Sequence, residues 1–142
     1  MRAGLDDGKR EMNYFKFDTD WMHDPKIIAF KKLHGKAALV DVVNLYCAWG
    51  ASENGEFSLK DPGNFAVLSS FLGKGKARTI EFLDRCAEVG IIDADAYRAF
   101  GRVACRRSIE EAETRARRRI YAKDASDAAK RKRDEERLRR GG

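Results

Sequence analysis

The sequence is short of the features that carry most recognisable chemistry. It has no apolar run of 18 residues or more, so no membrane-spanning helix is expected. Its first stretch, MRAGLDDGKREM, lacks the apolar segment that a secretory signal needs. Only three cysteines occur, Cys47, Cys86 and Cys105, too far apart for a C-x-x-C pair. That argues against a zinc knuckle and a disulfide framework and fits a reducing cytoplasm. Each cysteine lies among apolar neighbours and is expected to pack as a small hydrophobe. The two histidines, His23 and His34, are not at ligand spacing. No internal repeat is present.

What the sequence does have is length for one small domain and charge in one place. The 142 residues are 43% hydrophobic, enough for a single core. Residues 1–105 hold 15 Lys+Arg against 15 Asp+Glu, while residues 106–142 hold 14 against 8. The whole excess of +6 therefore sits on the C-terminal segment. Such asymmetry points to a basic arm for nucleic acid or another anionic surface, or to a solvated charged helix.

The stretch NYFKFDTDWMHDPKII, residues 13–28, gathers Asp18, Asp20, His23 and Asp24. An EF-hand loop starting at Asp18 would need Gly and Glu where His23 and Ala29 stand. A metal-dependent hydrolase would need a second carboxylate cluster, and none is found. Asp24-Pro25 is instead the start of a helix: Asp suits the N-cap, and Pro suits the first turn because its missing N–H needs no partner there. That helix runs to Gly35. A second, from about Lys36 to Ala51, is apolar almost all round and is expected to be central and buried. Asp41 and Asn44 interrupt it, as part of a binding surface or as a hydrogen-bonded pair at its edge.

Further along, Asn54-Gly55 signals a turn before a short strand, 56–59. Asp61-Pro62 repeats the helix-start device and Gly73 ends that helix. After the tight Gly73–Gly75 connection another helix runs to Gly90, with Ala77, Ile80, Leu83 and Ala87 expected inward. Ile91-Ile92 leads to a loop, DADAYRAFG, then to a strand over 102–107. In SIEE, Ser108 and Glu111 form a capping box, with Ser108 at the N-cap. The expected organisation is an unstructured 1–12, a domain over 13–121 and a basic charged tail over 122–142.

Setting aside the first and last helices, the order is helix–strand–helix–turn–helix–strand–wing–strand. The expected fold class is therefore mainly α (α+β), a winged helix-turn-helix with an extra N-terminal helix and a basic C-terminal helical extension. In that architecture the helix after the turn leads into the major groove. The expected DNA contacts are Lys74, Lys76, Arg78 and Thr79 at the turn and Arg98 and Arg102 on the wing. Arg106 and Arg107 follow it, and Arg117 and Arg118 lie on the basic helix beyond. Glu81, Asp84 and Glu88 on the same reading helix oppose phosphate and leave a protein-facing role open for it.

YFKFDTDWMHDPKIIAFKKLHG, FLDRCAEVGIID and RVACRRSIEEAETRARRR together resemble the N-terminal winged-helix domain of prophage and mobile-element proteins of bacteria. That domain of unknown function is linked to phage replisome organisers and DnaD-like replication proteins. The resemblance covers residues 14–120, with Asp24-Pro25-Lys26-Ile27 and Val89-Gly90-Ile91-Ile92 its most specific matches. It implies a non-enzymatic protein that binds double-stranded DNA in replication initiation or its control. Neither cofactor nor metal is expected, and replication proteins or a second copy are the further partners it implies. The expected wing carries little net positive charge, and a basic tail follows the domain where many relatives carry a further region. The alternative is a protein-interaction or oligomerisation module with a solubilising basic tail.

Overall fold

Three aspartates start three of the helices. In the computed structural model, which describes residues 20–141, Asp24 Oδ1 accepts the Lys26 N–H at 2.9 Å and opens α1 (Pro25–His34). Asp61 Oδ1 accepts from Gly63 and Asn64 and opens α3 (Pro62–Leu72). Asp93 Oδ1 accepts from Asp95 and Ala96 and opens α5 (Ala94–Phe100). Each cap satisfies N–H groups that the first helical turn leaves unpaired, contributing about 1 kcal/mol. Between them lie α2 (Leu39–Ala51) and α4 (Lys76–Val89), and α6 (Arg106–Gly141) follows. The protein is thus mainly helical. Its sheet has two strands, β1 (Phe57–Ser58) and β2 (Arg102–Val103), antiparallel with Phe57 opposite Val103. The expected unstructured segment 1–12 and the segment bearing Asp18 lie outside the described residues.

The chain forms two units, divided between Ala112 and Glu113. In the first, Trp49 of α2 is fully buried and its ring N–H donates to the Val103 carbonyl at 3.1 Å, fastening β2 to the central helix. Tyr46 stacks on Trp49 at 5.7 Å, and Trp21, in a 3-10 turn over Trp21–His23, meets Tyr46 edge-on at 6.1 Å. Val42, Leu45, Ala48, Leu68, Leu83 and Ile92 complete the centre of the core. The second unit is the continuation of α6, exposed at every residue from 120 to 141.

Four expectations are corrected. DADAYRAFG is a helix, because Asp93 caps it, Tyr97 packs its buried side inward and Gly101 ends it with a left-handed φ of 67°. No wing loop therefore joins the segments around it. Ile91-Ile92 is buried but not a strand: a single backbone bond, Asp93 N–H to the Ala104 carbonyl, links the following residue toward β2. The strand expected over 102–107 stops at Val103, since α6 already begins at Arg106. Finally, α2 is buried only along Leu39, Val42, Leu45, Ala48, Trp49 and Gly50, leaving Val40 62% exposed and Cys47 exposed. Among the described residues the helix packs on α1 and α3. Of the cysteines, only Cys86 is fully in the core, where burial pushes its thiol far up.

The start of α6 shows a reciprocal cap three residues earlier than expected. Ser108 sits inside the helix, where its Oγ accepts the Cys105 N–H at 3.0 Å, while Cys105 Sγ accepts the Ser108 N–H at 3.3 Å. Cys105 thus takes the N-cap role and Ser108 the role of the third helical residue. The Ser108 hydroxyl donates onward to the buried Gly55 carbonyl at 2.7 Å. Gly55 has φ 75°, and a Cβ there would lie 2.2 Å from the Ser108 carbonyl oxygen. Only glycine meets both demands, and the turn before β1 is clasped to the base of α6.

Candidate nucleic-acid interface

The tight connection expected around Gly73–Gly75 joins α3 directly to α4. Gly73 takes a left-handed φ of 64°, its N–H donates to the Ser70 carbonyl, and the Lys74 N–H reaches back to the Ser69 carbonyl. This closes α3 in a Schellman-type stop and turns the chain directly into α4. No side chain caps α4: Gly75 stands at its N-cap, leaving the backbone N–H groups of the first turn without a side-chain partner. The positive end of the helix dipole and Lys76 share that position.

The face of α4 is rotated from the expected one. Thr79, Phe82, Leu83, Cys86 and Ala87 are its buried residues, spaced i, i+3, i+4, i+7, i+8. Phe82 meets Phe30 of α1 edge-on at 6.1 Å, which fixes the rotation. Ala77 is consequently exposed and Ile80 half-buried. Thr79 is a correction to the expected contact set. Its hydroxyl is fully buried, donating to Ser69 Oγ at 3.3 Å and joining α3 to α4, so no surface ligand meets it.

The other expected contacts divide by whether an acid holds them. Lys74 Nζ is 3.2 Å from Asp41 Oδ2, which also answers what Asp41 does on α2: it reaches the turn, not Asn44. Arg102 is ion-paired with Glu56 across the edge of the sheet. Arg106 meets Glu110 at 3.4 Å and Arg107 meets Glu111 at 3.2 Å, each one turn along α6. Lys76 and Arg78 are exposed on the first turn of α4, and Arg98 is exposed on α5. In the second unit Arg117 and Arg118 are exposed, with an Arg117 Nη donating to Thr114 Oγ1 at 3.5 Å.

The acids on α4 are likewise partly occupied. Asp84 accepts the Tyr97 phenol at 2.7 Å and so anchors α5, and Glu81 pairs with Arg85 at 2.8 Å. Burial, then the bond to Asp84, pushes the Tyr97 hydroxyl well above its ordinary range. A groove of about 330 Å³ beside the turn is lined by Asp41, Lys74, Arg78, Glu81 and Arg85, a mixed surface of two acids and three bases.

Among the described residues no group of three His, Cys, Asp or Glu side chains is placed to hold a metal ion. No helix among them is long and apolar enough to cross a membrane. The chain matches no protein-family model, no curated protein and no solved structure.

Proposed function

We propose that the protein is a non-enzymatic DNA-binding protein of winged-helix type, in which a helix, α5, takes the place of the wing. The observation that carries this reading is the exposed pair Lys76 and Arg78 on the uncapped first turn of α4. There, two side-chain cations lie within one turn of backbone N–H groups that no side chain caps, a setting that favours phosphate at a helix start. The segregation of the whole charge excess onto residues 106–142 supports it by supplying sequence-independent affinity for a polyanion. The motif resemblance adds a setting, replication initiation or its control on a phage or mobile element, in the cytoplasm.

The test is fluorescence anisotropy of a mixed-sequence duplex titrated with the full chain at several salt concentrations. Each phosphate contact contributes about 0.9 to the slope of log K against log salt. Replacing Lys76 and Arg78 by Ala lowers that slope by about 1.8. An affinity indifferent to salt refutes the proposal.

A second reading, a module that docks on replication proteins or on its own copy, is favoured by one observation. Val40, Val67 and Phe71, on α2 and α3, are 62%, 48% and 39% exposed, large apolar side chains of the kind a protein partner covers. Sedimentation of the full chain tests its self-association: a monomer that binds duplex excludes docking on its own copy.

A further inference from the structure

We propose that the exposed part of α6 lies against a duplex along one defined face, a stripe formed by Lys123, Lys130, Arg133, Arg137 and Arg140. The inference rests on the DNA-binding reading and goes beyond it by assigning the register of the tail. All five residues are exposed on a continuous helix. At 3.6 residues per turn their spacings of seven, three, four and three place them within an arc of about 100°. From 122 to 140 the same arc holds only Ala122 and Ser126 besides, so it contains no acid and, apart from the cations, no bulky side chain. Four acids of this segment, Asp124, Asp127, Asp134 and Glu135, gather on the adjoining face, and Glu136 lies on the opposite flank.

A solvated charged helix accounts for part of this pattern. Asp127 with Arg131, Glu135 with Arg139 and Glu136 with Arg140 are spaced i, i+4 in the favourable order and support a helix that buries nothing. That function is served equally well by acids on every side. It does not explain an arc kept free of them along about 26 Å of helix.

The chemistry fits a rod-like polyanion approached from one side. A helix about 10–12 Å across enters a major groove about 12 Å wide, and the small side chains of Ala122 and Ser126 on the approaching face let its backbone come close. The acids nearest the arc, Asp134 and Asp127, stand just beyond its Lys123 edge, about 20° and 40° away. An anionic membrane fits less well. A helix lying on a bilayer needs a bulky apolar face to sink, and Leu138 is the only large apolar residue from 122 onward.

The test compares two variants of the full chain with equal net charge. One carries Gln at three cations of the stripe, Lys130, Arg133 and Arg137. The other carries Gln at the three cations of 122–140 that lie off the arc, Arg131, Lys132 and Arg139. Gln is a good helix former, and circular dichroism checks that both stay helical. With the duplex titration, the first variant is expected to lose about 2–3 in salt slope and the second at most about 1. Equal losses would show that net charge alone acts and overturn the stripe, as would unchanged slopes in both, while duplex binding itself stands. If the unaltered chain fails to bind duplex, the DNA reading falls and the stripe with it. Tighter binding to phosphatidylserine vesicles than to duplex also overturns the stripe as a DNA contact.

Discussion

Ser108→Ala probes the clasp between the turn before β1 and the base of α6, and its size follows from the bonds. The Ser108 side chain is 1% exposed, and its one oxygen serves two backbone groups: it donates to the Gly55 carbonyl at 2.7 Å and accepts the Cys105 N–H at 3.0 Å. Alanine removes that oxygen and leaves no room for water to replace it. The Gly55 carbonyl, buried, loses about 1–3 kcal/mol, and the half-buried Cys105 amide about 1 kcal/mol as a lost cap. The higher helix propensity of Ala offsets about 0.5 kcal/mol. The net expectation is a loss of about 2–3 kcal/mol, read from urea unfolding followed by tryptophan fluorescence with an unchanged m-value. Arg106→Ala, one residue into the same helix with a side chain 91% exposed, is the control and should shift stability by no more than about 0.5 kcal/mol. If Ser108→Ala costs no more than that control, the reciprocal cap is not what holds the start of α6.

Two further outcomes are expected. Asp41→Asn releases Lys74 from its 3.2 Å pair and should raise duplex affinity while steepening the salt slope by about 0.9; an unchanged slope would place Lys74 away from the phosphates. At alkaline pH the Tyr97 hydroxyl is held protonated in the fold, by burial and by its bond to Asp84, above its ordinary value of 10.0. A raised folded pKa gives stability that is complete below pH 10 and lost as pH rises beyond it, because the unfolded chain releases the proton first. Tyr97→Phe should therefore flatten the decline in stability above pH 10, and an identical decline in the variant would refute that assignment.

How much was legible in the sequence depended on how far apart the interacting residues lie. Asp24-Pro25 and Asp61-Pro62 announce α1 and α3 because cap and first turn are neighbours. The same punctuation, Asp93 before and Gly101 after, marks α5, yet the order of elements favoured a wing there over the local signal. On α4 the apolar positions allow two faces a residue apart. The choice was made by Phe82 and Cys86 finding the core, which no local pattern fixes. For the candidate site, sequence counts cations but does not see their partners. The pairs within α6, Arg106 with Glu110 and Arg107 with Glu111, follow from i, i+4 spacing. Lys74 with Asp41 and Arg102 with Glu56 join distant segments and emerge only in three dimensions.

That pairing changes where affinity for a polyanion must originate. When a phosphate takes Lys74, Arg102, Arg106 or Arg107, it exchanges one ion pair for another and gains little beyond geometry. In the first unit, three of the expected contacts, Lys76, Arg78 and Arg98, are exposed without such a pair, for a salt slope of at most about 2.7. Leaving out Arg140, which stands i, i+4 from Glu136, the other four cations of the proposed tail stripe account for about 3.6. On the proposed DNA-binding reading, the larger share of affinity would therefore belong to the tail, and the first turn of α4 would be left to supply sequence preference from two side chains. Such a division yields a protein that binds most duplexes at low salt and distinguishes them only as salt rises. Competition between duplexes of different sequence, measured at two salt concentrations, tests this directly: discrimination that stays constant while total affinity falls would mean that both parts weaken together and that the division of labour is wrong.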